Sequence, residues 1–145
     1  MHNAARAALA AAEIVTDRQA YRLIHLPPTA ITPAAAVVAA VGEAFVALLA
    51  DKDEVTLVLP DLWWHELQSR LPEHKVAEEV YHLLTFDLSL QHNLVGFMAI
   101  VSAALAEAGI PLMAYSAFER DHLLIQARYF EQACAVLTSL QGTTR

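Results

Sequence analysis

The 145-residue sequence predicts a small α+β protein. Hydrophobic residues make up 57% of the chain and charged residues 17%, so we expect a folded core rather than a disordered chain. Some segments alternate between apolar and polar side chains, whereas others repeat apolar side chains at helical spacing, and this mixture indicates strands and helices. The length suits one domain or two closely packed half-domains.

The pattern of apolar residues, prolines and glycines in the first half of the sequence predicts helices alternating with short strands. Alanine favours the first helix, prolines end the first strand and the last helix, and the polar residues 51–54 separate the strands of a hairpin. Thr32 and Pro33 signal the start of the middle helix and Gly42 its end. The predicted elements are a helix at Ala4–Ala12, a strand at Tyr21–Leu26, a helix at Ala34–Val41, strands at Phe45–Leu49 and Val55–Leu59, and a helix at Leu62–Leu71.

The second half shows clearer periodicity. Alternation from Tyr81 to Leu88 predicts a strand with one buried face. Asn93 is expected to cap a long helix, which ends at Gly109 in a left-handed conformation before Pro111. Strands at Leu112–Phe118 and His122–Ile125 follow, joined by a polar turn at residues 119–121, and the last helix is expected at Arg128–Leu140.

The order strand-helix-strand-strand-helix therefore occurs twice. Each half would place helices on one face of an antiparallel sheet, which is the ferredoxin-like arrangement. We expect an N-terminal helix in residues 1–20, a first half in residues 21–76 and a second half in residues 77–145. An irregular extension in place of a complete first half remains an alternative.

The second half resembles the ACT domain. The resemblance covers about Phe86 to Leu140 and rests on the helix from Leu94 to Ile110, which contains Gly96 and ends Leu-Ala-Glu-Ala-Gly-Ile, and on the hairpin around Asp121. The chain is similar to small stand-alone proteins with two ACT-like halves, which are related to amino-acid sensors and to the regulatory domains of aspartate kinases. The strand at Val55–Leu59 weakly resembles its counterpart in the first half of such proteins.

The resemblance implies a non-catalytic regulatory module that binds an amino acid where a strand meets a helix. Backbone N–H groups in the opening turn of a helix are unpaired and partly positive, so a ligand carboxylate can bind there without a basic side chain. Carboxylates and strand residues nearby would accept the ligand ammonium. The predicted ligand-binding residues are Asp87, His92, Asn93, Leu94, Val95, Gly96, Tyr115, Ser116 and Asp121.

Other site chemistries are less well supported. The seven histidines lie on different elements without helical metal-pair spacing, and neither a phosphate-binding glycine loop nor a nucleophile elbow is present, so we predict no catalytic residue, metal or cofactor. Cys134 lies on the apolar stripe of the last helix and is expected to be inert. A ferredoxin-like dimeric α+β barrel enzyme and a pure interaction domain remain alternatives.

Adjacent Trp63 and Trp64 cannot both face the core of one helix. We expect core packing at the boundary between helix and sheet, and an interface with the other half or with another subunit is the alternative for one of them.

Charge and cysteine usage bear on partners and compartment. The formal net charge of -7 and the lack of a basic run argue against binding to nucleic acid or to an anionic membrane surface. A single cysteine fits a reducing, cytoplasmic setting. The alanine-rich start has the length of a signal-peptide core, but a first-turn or docking helix is the favoured interpretation. Because ACT-like sheets commonly pair through their edge strands, a homodimer is expected.

Overall fold

The computed structural model describes residues 2–89 and 93–143 and divides into two compact units. The first unit is Gln19–Tyr81, and the second unit joins Met1–Arg18 with His82–Arg145. Both units place helices on antiparallel strands, which confirms the predicted α+β, ferredoxin-like class. The elements are α1 His2–Ala11, β1 Glu13–Val15, β2 Ala20–Leu26, α2 Ile31–Ala40, β3 Ala47–Ala50, β4 Val55–Pro60, α3 Asp61–Leu67, β5 Lys75–Val76, β6 Tyr81–Asp87, α4 Phe97–Glu107, β7 Met113–Ser116, β8 Asp121–Gln126 and α5 Phe130–Thr143.

The first unit has the element order βαββαβ. Its strands lie in the order β3-β4-β2-β5, and every neighbouring pair is antiparallel. Ile24 on β2 lies opposite Leu57 on β4, and both are fully buried in one core cluster together with Val37 of α2 and Leu67 of α3. This half of the chain is therefore a complete ferredoxin-like unit rather than an irregular extension.

The turn between β3 and β4 is held by Asp51. Its Oδ1 accepts hydrogen bonds from the backbone N–H groups of Asp53, at 2.7 Å, and Glu54, at 2.9 Å. These bonds stabilise the charged carboxylate and lower the pKa of Asp51. The polar run between the two predicted strands thus forms the expected hairpin turn.

The second unit recruits its outer strand from the N-terminal segment. Strand β1 pairs antiparallel with β6, which places Ile14 opposite Phe86, and the order of strands in the unit is β1-β6-β8-β7. Helices α1, α4 and α5 contact one another and share a core with the sheet, in which Leu9, Leu105 and Leu137 are fully buried. The N-terminal residues therefore complete this unit instead of preceding it as a lone helix.

A polar side chain links the first and last helices of the second unit. The Gln141 amide nitrogen donates to the carbonyl oxygens of Leu9, at 2.9 Å, and Ala12, at 2.7 Å. These carbonyls stand at the C-terminal end of α1, where helix carbonyl groups lack intrahelical partners. The bonds therefore hold α5 against the end of α1.

The C-terminal end of α4 follows the prediction. Gly109 has a φ of 71°, its N–H bonds the carbonyl of Ala106 at 2.9 Å, and the N–H of Ile110 bonds that of Leu105 at 2.9 Å. This pair of bonds is the Schellman motif, which requires a left-handed residue.

The predicted and observed elements differ at several places, and α3 ends at Leu67 rather than at Leu71. Helix α4 begins at Phe97 rather than beside Asn93, and the strands β1 and β5 were not predicted. Each missed strand has only two or three residues, too few to show an alternating pattern. The division into domains at residues 20 and 76 stays a prediction, because a compact unit does not by itself define an independently folding domain.

Candidate ligand-binding site

The candidate site lies at one end of the sheet in the second unit. There β6 ends at Asp87 and the chain leads toward α4, while β8 begins at Asp121 beside it in the strand order. The hairpin turn between β7 and β8 lies at the same end, closed by a 2.8 Å bond from the N–H of Ala117 to the carbonyl of Arg120. Most of the residues predicted from the sequence therefore come from segments that meet at this end.

The opening of α4 differs from the predicted one. Gly96 is the residue before the helix, with φ 93° and ψ -3°, and its carbonyl accepts the first helical bond from the N–H of Ile100 at 3.1 Å. A left-handed residue cannot be part of a right-handed helix, so the Asn93 cap predicted from the sequence is wrong. The N–H groups left open by helix geometry are those of residues 96–99, instead of residues 93–96.

The residues before Gly96 form the approach to the helix. Asn93 is exposed in a turn, Leu94 packs partly against the core of the unit, and Val95 is 64% exposed. His92 lies outside the described residues. Gly96 itself faces α1, because a Cβ added to it would lie 3.8 Å from the Cβ of Ala5.

Ser116 and Asp121 form a hydrogen-bonded pair at the start of the β7–β8 hairpin. They are register partners, and the Ser116 hydroxyl donates to Oδ1 of Asp121 over 2.6 Å. Asp121 shares a sheet face with Leu123 and Ile125, since side chains two residues apart on a strand point the same way. Leu123 and Ile125 are buried in the core with α4, so the pair lies on the face that carries the helices.

Asp87 and Tyr115 lie on the opposite face of the same sheet. Asp87 follows Phe86 on β6, so its side chain points away from the face on which Phe86 is buried beneath the helices. Tyr115 is the register partner of His122, which follows Asp121 on β8 and therefore also points to this opposite face. Arg120 donates from Nε to Oδ1 of Asp87 at 2.7 Å, and this hydrogen bond raises the pKa of Arg120. The predicted site residues thus form two groups, one on each face.

The Arg120–Asp87 pair was not predicted. Its members are 33 residues apart in the chain, and only the pairing of β6 with β8 brings them together. No local pattern marks such a contact. Nη1 of Arg120 also lies 3.4 Å from Oε2 of Glu119, so two carboxylates flank this arginine at the sheet end.

His122 follows Asp121 on β8 and lies opposite Tyr115 in register, so it adjoins one residue of each group. Its Nδ1 is 2.8 Å from the hydroxyl of Thr85. Burial lowers the pKa of His122, which the nearby Asp121 carboxylate opposes and the Arg120 charge reinforces. The neutral imidazole is therefore favoured in the folded protein.

This shift predicts a pH dependence of stability. A histidine whose folded pKa lies below 6.5 binds fewer protons than in the unfolded chain, so the free energy of unfolding decreases as pH falls from 6.5 through the folded value. Thermal unfolding of wild type and His122→Asn at pH 7.5 and pH 5.5 measures this loss. We expect a smaller loss in the variant, and an equal loss in both proteins would contradict the assignment.

Metal-ligating side chains and the single cysteine were the other candidates for site chemistry. Within residues 2–89 and 93–143, no group of three or more His, Cys, Asp or Glu side chains could hold a metal ion. Burial raises the pKa of the half-buried Cys134 thiol, which disfavours the reactive thiolate.

Comparison with protein families finds a match in the second half of the chain. Residues 76–139 match the family model described as the ACT domain. The match includes β6, α4, β7, β8 and most of α5, which carry the predicted site residues, whereas α1 and β1 lie outside it. No curated protein matches the chain.

Solved structures extend the similarity to nearly the whole chain. A protein of Agobacterium tumefaciens has a TM-score of 0.69 and 22% identity, covering 90% of this chain and 89% of its own. A Vibrio cholerae protein of unknown function, titled a possible transport protein, has a TM-score of 0.74 and 17% identity, covering 97% and 98%. The regulatory subunit of aspartate kinase from Thermus flavus has a TM-score of 0.67 and 13% identity, covering 88% and 95%. At these identities the likeness concerns the fold.

No helix in the described part of the chain combines the length and apolar character needed to cross a membrane.

Proposed function

We propose that the chain is a regulatory module that binds a free amino acid at the β6–α4 end of its ACT domain and performs no chemistry on it. One observation carries this proposal. The Asp121 carboxylate and the open N–H groups of residues 96–99 occupy the same face and the same end of one sheet. These two features complement the ammonium and carboxylate groups of an amino acid.

The carboxylate of the ligand would bind the first turn of α4. The N–H groups of Gly96, Phe97, Met98 and Ala99 have no carbonyl partner within the helix, and the aligned peptide dipoles make this end partly positive. A carboxylate bound there needs no basic side chain. The predicted residues Asn93, Leu94 and Val95 precede this turn and would border the ligand.

The ammonium of the ligand would bind Asp121. One of its oxygens accepts the Ser116 hydroxyl, and a carboxylate has about four acceptor positions in total, so capacity for the ligand remains. Ser116 keeps the carboxylate oriented. Asp87 and Tyr115 face away from this position, and their part in binding, like that of His92, remains a prediction.

A regulatory role agrees with the fold family. The residues around the site offer carboxylates, a hydroxyl and backbone N–H groups, which suit recognition of a zwitterion. Among the proteins with a similar fold is the regulatory subunit of aspartate kinase from Thermus flavus. We therefore infer binding that changes stability or association, rather than turnover.

A thermal-shift panel of the twenty amino acids tests the proposal. A ligand at about 100 times its Kd stabilises the folded protein by about 2.7 kcal/mol. Asp121→Asn is expected to weaken binding of the responding amino acid about tenfold, because a hydrogen bond to a charged group is lost. Asp53→Asn, in the other hairpin turn, is the matched control and should leave the Kd unchanged.

Two outcomes would contradict the proposal. If no amino acid shifts the melting temperature, a pure interaction domain is the better account. Equal weakening by Asp53→Asn and Asp121→Asn would place the ligand elsewhere.

A homodimer and a cytoplasmic location remain predictions. Light scattering with and without the responding amino acid measures whether the protein is a homodimer.

A further inference from the structure

The first unit contains an open cleft of about 580 Å³ that the amino-acid site does not use. The start of β2, the loop after α2 and the junction of β4 with α3 form its walls. Its polar lining comes from Gln19, Glu43, Asp61 and His65, and Leu62 and Trp63 contribute large apolar surfaces.

The charge of the cleft is set by two carboxylates. Glu43 is exposed and makes no hydrogen bond or ion pair with the described residues. Oδ1 of Asp61 is buried, lies 3.7 Å from an Arg22 nitrogen and has no hydrogen-bond partner in the described chain. The side chain is nevertheless 32% exposed, so its accessible part includes Oδ2, which lies 3.4 Å from Nε2 of His65.

Arg22 does not line the cleft, but its Nη1 forms an ion pair with Oδ1 of Asp61 at 3.7 Å, so Glu43 is the carboxylate of the lining whose charge is not offset by a described residue. The Nε of Arg22 is buried without a hydrogen-bond partner in the described residues, and its Nη2 donates to the carbonyl oxygen of Ala77 at 3.4 Å. A distance of 3.7 Å to Asp61 exceeds a hydrogen bond, so acceptor positions of this carboxylate remain open. An anionic ligand would meet Glu43 and Asp61 without an accessible arginine or lysine in the lining.

Trp63 gives the cleft an aromatic wall. Trp64 is buried, with its ring 4.9 Å from that of His74, whereas Trp63 is only half-buried and faces the lining. Gly42 lies beneath the indole, since a Cβ there would be 3.5 Å from Cζ2 of Trp63. An indole face attracts a cation, and tryptophan does so most strongly among aromatic side chains.

We propose that this cleft is a second ligand site, which binds an organic ammonium ion with a short apolar chain. The ammonium group of the ligand contacts the carboxylates of Glu43 and Asp61, and the apolar chain of the ligand packs on Trp63. A cleft of this volume accommodates a small metabolite. The proposal concerns a different unit and a different ligand class from the amino-acid site, so either can fail alone.

Intrinsic fluorescence tests this site, because the chain has only two tryptophans. We expect a saturable change on titration with n-butylammonium in the wild type, and none in Trp63→Phe, which retains Trp64. The neutral isostere n-butanol and the anion butyrate are controls for the charge and should give no saturable change. An equal response to n-butanol would overturn the proposal. So would the lack of any response to n-butylammonium up to about 100 mM, because a site with a Kd in the millimolar range would be saturated at that concentration.

Charge variants locate the ammonium. Glu43→Gln and Asp61→Asn are each expected to raise the Kd of n-butylammonium about fivefold, in line with about 1 kcal/mol for a partly exposed ion pair. Glu66→Gln, an exposed carboxylate on α3 outside the lining, is the control. Glu43→Gln keeps the test valid even if Asp61→Asn perturbs folding, and an equal effect of Glu66→Gln would overturn the proposal.

Discussion

Replacing Phe86 with alanine is expected to lower the free energy of unfolding by about 3–5 kcal/mol. Phe86 is fully buried in the core of the second unit, and its ring meets that of Phe97 edge to face at a centroid distance of 5.1 Å. The substitution removes the apolar contacts of a whole ring and leaves a cavity between the sheet and α4. Denaturant unfolding followed by circular dichroism measures the loss.

Phe118→Ala is the matched control for this prediction. Phe118 is 79% exposed in the β7–β8 turn, and surface substitutions usually change stability by less than about 0.5 kcal/mol. A loss below about 1 kcal/mol for Phe86→Ala, or equal losses for the two variants, would show that Phe86 is not buried as described.

The Phe86–Phe97 contact also explains how the site is positioned. Phe86 is the last buried residue of β6, and Phe97 is the first residue of α4. The two rings therefore hold both ends of the segment that leads into the opening turn of the helix. The free energy of core packing thus fixes the place where the ligand carboxylate is proposed to bind.

Much of the fold was predictable because its signals are local. The strand at Tyr81–Leu88, the Gly109 exit and the Asp51 turn each depend on residues close together in the chain, and the structure confirms them. The prediction that this strand has one buried face is wrong, because Tyr81 and Leu83 are buried as well as Leu84 and Phe86. The position of β1 was not predictable, because three residues show no period and only pairing with β6 makes them a strand. Long-range pairing decided that element.

The candidate site was predictable to its region and not to its geometry. Sequence resemblance led to Asp121, Ser116 and Gly96, which the structure places at one sheet end. Asp87 and Tyr115 lie on the face of the sheet opposite to Asp121 because of the strand register. A shift of one residue in that register would move their side chains to the other face. The true opening of α4 was missed because Asn93 satisfies the usual preference for a cap, whereas the left-handed φ of Gly96 leaves no sequence mark other than the glycine itself.

Gly96→Ala is expected to destabilise the protein by about 1–2 kcal/mol, because an L-residue is strained at a φ of 93°. The expected loss is conformational rather than steric, since a Cβ would meet Ala5 at an ordinary 3.8 Å. Gly96→Asn should therefore lose less than Gly96→Ala despite its larger side chain, because asparagine tolerates left-handed backbone better.

Gly142→Ala supplies the comparison of opposite sign. Gly142 lies in α5 without a positive φ, and no atom is within 4 Å of an added Cβ, so alanine should leave stability unchanged or raise it by up to about 1 kcal/mol. Chemical denaturation of the three variants beside wild type measures the differences. If Gly96→Asn lost more than Gly96→Ala, side-chain volume would be the cause, and the opening of α4 would be closed by packing instead of lying open to a ligand.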